Sequence, residues 1–525
     1  MLYLGLDSST QGLTAIVLEI DRDTRRIVFQ HTLNFDRDCP EYGTSAGVFH
    51  GDDPREVWSS PLLWADALDR MVGVIASALG DEVTRIEAIS GSAQQHGSVY
   101  LNRTAADVWR TLDPHRALAP QLARTFSRDR SPVWLDASTT DQCRAIERLL
   151  GGAEATARLT GSRAYERFTG PQIRKFSERD PSAYAETSRV HLVSSYLASL
   201  LAGCDAPIDP GDGAGMNLMD ITSLHWLPAA LDATAPGLAA RLPGLAPSST
   251  NVGPLSSYWQ RRYGLSAASV IAWSGDNPCS LVGTGIVDET RLAVSLGTSD
   301  TVFAFTPTPG VNASHVFGSP TGGYMSLVCF RNGSLARERI RDEHRLDWPG
   351  FARALAETLP GNDGAMMLPW FEPEITPHVA AAGVRRFDLD PADAARNVRA
   401  VVEAQMMAMA NHADGVAEGQ FQRIIATGGA ATNHAILQVM ADVFGVDVYP
   451  LESSNSACLG AALRAYHAER LSDGESIPWS EVVRGFTEPR IEDRVAPTAS
   501  HVATYARMRR EYAAHERAAL AASHG

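Results

Sequence analysis

Two turns of small polar residues each follow a short apolar run. Asp7-Ser8-Ser9-Thr10-Gln11-Gly12 follows Tyr3-Leu4-Gly5-Leu6, and Gly297-Thr298-Ser299-Asp300 follows Leu292-Ala293-Val294-Ser295-Leu296. Such a turn exposes a concave row of backbone N–H groups, and with serine and threonine hydroxyls that row binds phosphate oxygens. Asp7, at the end of its run, can hold Mg²⁺ directly or through water. Trp273-Ser274-Gly275-Asp276-Asn277-Pro278 supplies a second carboxylate. Asp276 can accept a proton from a hydroxyl attacking phosphorus, and Asn277 can both donate to and accept from sugar hydroxyls.

Two further segments have suitable chemistry. Ala426-Thr427-Gly428-Gly429-Ala430-Ala431-Thr432-Asn433 reads as a strand, a glycine turn and a helix start near Asn433. Paired glycines let a flat ligand lie on bare backbone, and the helix N-terminus favours an acceptor. Gln94-Gln95-His96-Gly97 carries several donors and acceptors for a polyol, as do Trp134-Leu135-Asp136 and Arg163 to Arg167. Each segment has a plainer reading taken alone: an Asx turn, a helix cap on Asn433, a structural histidine. The two phosphate-type turns, placed once in each half, favour the functional reading.

The elements that must hold these residues read as α/β layers. Each turn joins two strands, Leu13 to Leu18 following the first and Thr301 to Phe305 the second. Pro61 to Leu79 has helical spacing, with Trp64, Leu68, Met71 and Ile75 on one face. Ile86 to Ser90 is a strand. Arg396 to Val416 is a helix, Arg423 to Ala426 a strand, Asn433 to Phe444 a helix, Asp447 to Pro450 a strand, and Asn455 to Arg470 a helix. Thr306 to Gly323 reads as loop, and Ser500 to Ala521 as a terminal helix. The repeated hairpin implies an ancient duplication into two domains, 1–284 and 285–525.

Composition removes other classes. The 525 residues are 44% hydrophobic and 20% charged, with net charge −15, which fits a globular chain without the basic face of a nucleic-acid binder. Six scattered cysteines form neither a disulfide frame nor a zinc site. No signal-type leader and no apolar run of membrane-spanning length is evident, so the expected location is the cytoplasm. Lys175 is the sole lysine, so a GxxxxGK[ST] loop is excluded and phosphates must be held by amides, hydroxyls and Mg²⁺. Gly211-Asp212-Gly213-Ala214-Gly215 is not a dinucleotide fingerprint, which disfavours an NAD-dependent dehydrogenase.

The ordered set of motifs resembles the FGGY carbohydrate kinases, of the sugar kinase/heat-shock chaperone/actin superfamily, and within them the animal-type branch that takes xylulose. The resemblance rests on Leu6 to Thr10, Phe35 to Asp38, Gln94 to Gly97, Pro132 to Asp136, Thr160 to Gly170, Gly275 to Pro278, Val294 to Thr301, Ala426 to Asn433, and Asn455 to Cys458. It implies two RNase H-like domains flanking a catalytic cleft that closes on sugar and ATP. It also implies phosphorylation of D-xylulose, with Asp276 as base and Asp7 near Mg²⁺. Sugar-site residues would include Gln95, His96, Asp136, Arg167, Asp276 and Asn277. Ser8, Ser9, Thr10, Gly297, Thr298 and Ser299 would meet phosphates, and Gly428, Gly429, Ala430, Asn433 and Trp348 the nucleotide. Ser9 stands where many members have glycine, so a less permissive turn is expected. Other ketoses or polyols (ribulose, L-xylulose, xylitol, glycerol) and a non-catalytic nucleotide-binding regulator remain as alternatives. The expected partners are sugar and ATP, without nucleic acid or membrane, and a homodimer is compatible with the sequence.

Overall fold

Leu2–Ser8 and Gly12–Ile20 form an antiparallel hairpin around the first turn, and Leu2–Ser8 also pairs in parallel with Ile86–Ala93. The computed structural model describes every residue except 311–314, 418–420, 452–454 and 524–525. It divides into two units. The first comprises Met1–Val287, Val316–Met325 and Asn455–Thr487, and the second Asp288–His315, Ser326–Ser454 and Glu488–Gly525. The chain first passes between them at Val287/Asp288, near the expected 284/285 division. The segment Asn455–Thr487, expected with the second half, packs in the first unit.

The physical reason lies in the first sheet, which runs Asn251–Pro254, Ser269–Ile271, Ile86–Ala93, Leu2–Ser8, Gly12–Ile20, Arg25–Asn34. Its central strands are apolar on both faces, so each face needs a helical cover. Leu4, Leu6, Ala15 and Val17 pack with Trp64, Leu68, Met71 and Ile75 of helix Pro61–Leu79. Tyr3, Ile16 and Leu18 pack with Cys458, Ala462 and Leu463 of helix Ser456–Ser472. That second cover comes from far along the chain.

The second unit repeats the pairing pattern. Arg291–Leu296 is antiparallel to Asp300–Thr306 and parallel to Arg423–Thr427, which is parallel to Asp447–Pro450. Helix Ala394–His412 buries Val398, Val401, Met406 and Met409 in its core. The terminal helix Ala499–Ser523 adds Tyr505, Met508 and Tyr512 to the same core. The stretch expected as loop over 306–323 contains the strand His315–Gly318. Residues 311–314 of that stretch lie outside the described residues.

Candidate active site

Parallel register sets the level of the carboxylates. Ser92 lies opposite Asp7 on one side and opposite Ser274 on the other, so three strand ends finish together and Asp276 follows at once. Ligand sites in α/β sheets gather at the carboxyl ends of such strands. Ser92 Oγ donates to Asp7 Oδ1 at 2.6 Å. Burial pushes the Asp7 carboxyl up to about 6, and the Ser92 hydrogen bond offsets this only in part. Burial pushes Asp276 up to about 7, and the neighbouring charge of Asp7 adds to the rise. Both side chains keep a partly exposed edge. Two neighbouring carboxylates that resist joint ionisation suit a cation, and their oxygen donors fit Mg²⁺. Among the described residues no group of three or more His, Cys, Asp or Glu forms a metal cage.

Polar groups surround Asp276, which opens helix Asp276–Gly283. Asn277 N donates to Asp276 Oδ1 at 2.8 Å, and Asn277 Nδ2 donates to Gln95 Oε1 at 2.8 Å. Gln95 Nε2 in turn donates to the Gly211 carbonyl at 3.2 Å. His96 has φ of 77°, unusual for a residue with a Cβ. Its Nδ1 is 2.9 Å from the Gly215 carbonyl, and its own carbonyl accepts from Thr169 Oγ1 at 3.0 Å. Burial and the nearby Arg167 guanidinium push the His96 imidazole down to about 3. Arg167 itself lies over the Tyr165 and Phe168 rings. Thus Asp7, Gln95, His96, Arg167, Asp276 and Asn277, scattered in sequence, form one neighbourhood in the first unit.

Asp136 is placed differently. It is 5% exposed. Its oxygens accept from Val57 N at 3.1 Å, Ser138 N at 2.9 Å and Gln172 Nε2 at 2.7 Å. In this arrangement it braces the loop after Pro132 from within.

The segment Asp209–Gly215 is a wall of the site that sequence alone does not reveal, because its glycines match no dinucleotide fingerprint and its contacts run through backbone carbonyls. Its carbonyls hold Gln95 and His96. Asp212 accepts from Ser194 Oγ beneath them, and burial pushes its carboxyl well above the usual range. The available signal was an Asp-Pro-Gly-Asp-Gly run, which is also an ordinary turn composition.

In the first phosphate-type turn, Ser9 N and Ser9 Oγ both donate to the Gly12 carbonyl, at 2.9 and 3.1 Å. Ser9 is not in the left-handed region, so serine fits its backbone without strain. Trp134 Nε1 donates to Thr10 Oγ1 at 2.7 Å, and Ser8 Oγ is buried without a hydrogen-bond partner. Asp36, from the Phe35 to Asp38 motif, accepts from Thr44 Oγ1, Ala46 N and Gly47 N and so orders the loop behind this turn.

In the second unit, parallel pairing of Ser295 with Thr427 brings the other two motifs together. Gly428 has φ of 89°, and a Cβ there would lie 2.4 Å from the Leu296 carbonyl, so glycine is required where the strands part. Gly297, Thr298 and Ser299 turn between their strands, and Gly429 and Ala430 open a short 3₁₀ turn. Asn433 Oδ1 caps helix His434–Phe444 by accepting from Ala435 N and Ile436 N. A cavity of about 870 Å³ lies against Gly428, Ala431 and Thr432. Trp348 is 43% exposed at the start of helix Trp348–Glu357, with Arg341 over its ring at 4.6 Å.

Comparison with known proteins gives a consistent picture. Residues 130–283 match the model of the N-terminal domain of the FGGY family of carbohydrate kinases, and residues 292–469 that of its C-terminal domain. The chain is 42% identical to a xylulose kinase of Mus musculus, covering 98% of this chain and 94% of the relative. It is 41% identical to xylulose kinase 2 of Arabidopsis thaliana, covering 93% and 91%. A crystal structure of a xylulose kinase from Rhodospirillum rubrum shares the fold, with a TM-score of 0.82 and 18% identity over 100% of both chains. No helix among the described residues is long and apolar enough to cross a membrane.

Proposed function

The chain belongs to the FGGY family of carbohydrate kinases, and from that premise we propose that it transfers the γ-phosphoryl group of ATP to the terminal hydroxyl of D-xylulose, giving D-xylulose 5-phosphate and ADP. The observation that carries this reading is Asp276, a carboxyl raised to about 7 beside Asp7 and tied through Asn277 to Gln95. A base is most useful when its proton affinity lies near the working pH.

In this mechanism His96, Arg167, Gln95 and Asn277 bind and orient the sugar. As the sugar oxygen bonds to the γ-phosphorus, its proton passes to an Asp276 carboxylate oxygen, and the bond from phosphorus to the bridging oxygen of ADP breaks. Ser9 N is committed to the Gly12 carbonyl and Gly297 N to the Asp300 carboxylate, so each turn meets phosphate oxygens through its remaining amides and hydroxyls among Ser8 to Thr10 and Gly297 to Ser299, while Gly428, Gly429, Ala430, Asn433 and Trp348 bind the nucleoside. Asp7 is the residue that would hold Mg²⁺, whose role when bound is to neutralise phosphate charge. Acceleration comes chiefly from positioning and charge neutralisation. Asp136 braces the loop after Pro132 through Val57, Ser138 and Gln172.

The test is ADP release across D-xylulose, ribulose, L-xylulose, xylitol, glycerol and a no-sugar control, with and without Mg²⁺. The expected result is the highest kcat/KM with D-xylulose and little release without sugar. A higher kcat/KM with another acceptor would reassign the substrate, and sugar-independent ADP release would overturn the kinase mechanism.

A further inference from the structure

A cavity of about 170 Å³ in the first unit is lined by charged side chains and by Trp58, Pro132 and Phe176. That is room for roughly five waters or one small oxyanion. Arg128, Arg130, Lys175 and Arg179 face it, against only two carboxylates, Glu56 and Asp136. Neither carboxylate neutralises the first two arginines. Asp136 is occupied by the uncharged donors Val57 N, Ser138 N and Gln172 Nε2. Glu56 is shared by Lys175 Nζ at 2.6 Å and Arg179 Nη1 at 2.8 Å.

Arg128 and Arg130 are held by rings instead. Arg128 lies over Tyr100 and Phe176 at 5.0 and 4.8 Å, and Arg130 over Trp58 at 4.8 Å. Stacking fixes a guanidinium plane, and the edge donors beyond the one Arg128 gives to the Tyr100 side chain suit a planar or tetrahedral anion. Arg128 Nη1 is buried without a hydrogen-bond acceptor, a costly state for a charged donor and one that an anion would relieve. The sole lysine, 6% exposed, stands in the same wall.

We propose that this cavity is an oxyanion site, additional to the sugar and nucleotide residues, that takes a phosphate group between Arg128, Arg130 and Lys175. The group is either free phosphate or the phosphate end of a small phosphorylated metabolite.

Calorimetric titration of the full chain with inorganic phosphate and, separately, with a ketose phosphate, at constant ionic strength in chloride, tests it. Saturable binding is expected, weakened on the order of tenfold in Arg130→Gln and further in Arg128→Gln/Arg130→Gln, the scale of a lost charge-assisted contact. Sugar-dependent kcat in phosphate-free buffer should stay at the parent value. Because the ester resembles the product of the proposed reaction, only the binding that Arg130→Gln weakens is assigned to this cavity; such binding tighter for the ester would support the site with a metabolite as its occupant, and such binding equal for the two would support it with free phosphate as occupant. Absence of saturable binding, or binding unchanged in the exposed-position variant Arg130→Gln, would overturn the proposal even if the double variant were poorly folded.

Discussion

His96 Nδ1 lies 2.9 Å from the carbonyl oxygen of Gly215. A carbonyl can only accept, so Nδ1 carries the proton and Nε2 of the neutral ring is left as an acceptor. The imidazole is pushed down to about 3 by burial and by Arg167, so it stays neutral across the physiological range.

Replacing His96 by Asn should therefore raise KM for the sugar roughly tenfold, the scale of one lost hydrogen bond in a buried site, with a smaller effect on kcat. The acid limb of the pH–rate profile should not move. A limb displaced in His96→Asn would show that the imidazole titrates during turnover.

Asp276→Ala should lower kcat by about 10²-fold or more, the usual scale for a lost general base. In the parent, kcat/KM should fall as pH drops through about 7, because the base must be ionised and its folded pKa is near that value. Asp7→Asn removes the neighbouring negative charge, so it should shift the limb to lower pH while weakening Mg²⁺-dependent turnover. Steady-state kinetics from pH 5 to 9 reads both effects.

The same carboxyl should cost stability. Its pKa rises from 3.8 to about 7 on folding, so the folded state favours the protonated form. Stability from this group is present at low pH and is lost as pH rises through about 7. Asp276→Asn should thus melt above the parent at pH 8, and the gap should close near pH 4. Melting curves at the two pH values decide it; equal melting temperatures at pH 8 would count against the raised pKa.

Arg337 and Asp300 are each 1% exposed and joined bidentately at 2.8 and 3.0 Å, directly behind the Gly297 to Ser299 turn. Arg337→Met leaves a buried carboxylate unpaired and should destabilise by about 3–5 kcal/mol, with Arg337→Met/Asp300→Leu recovering much of the loss. Chemical denaturation of the three proteins measures this.

A Cβ at Gly460 would lie 1.9 Å from the Cys279 carbonyl, where helix Ser456–Ser472 crosses Asp276–Gly283. Gly460→Ala should force these helices apart and lower both stability and activity, since Asp276 opens the second of them. Unchanged turnover and melting temperature would show that the crossing is tolerant.

The sequence by itself determined the local elements and the chemical types at the site. Hydrophobic periodicity marked helix Pro61–Leu79 over its observed length, because helical spacing is written in neighbouring residues. It also marked the two hairpins, the strand ending at Gly428 and Asn433 as a helix start. The candidate base Asp276 was visible because a strand delivers it. Tertiary structure alone decided what depends on contacts between distant segments. Helix Ser456–Ser472 returns to cover the first sheet, because a sheet apolar on both faces must be buried twice. Gly211 and Gly215 support Gln95 and His96 through carbonyls that carry no side-chain signature. Asp136, polar and well placed in sequence, is turned inward to Val57, Ser138 and Gln172. The raised proton affinities of Asp7 and Asp276 likewise belong to the fold, because the burial of both and the charge of Asp7 near Asp276 exist only once parallel register brings their strand ends level on either side of Ile86–Ala93.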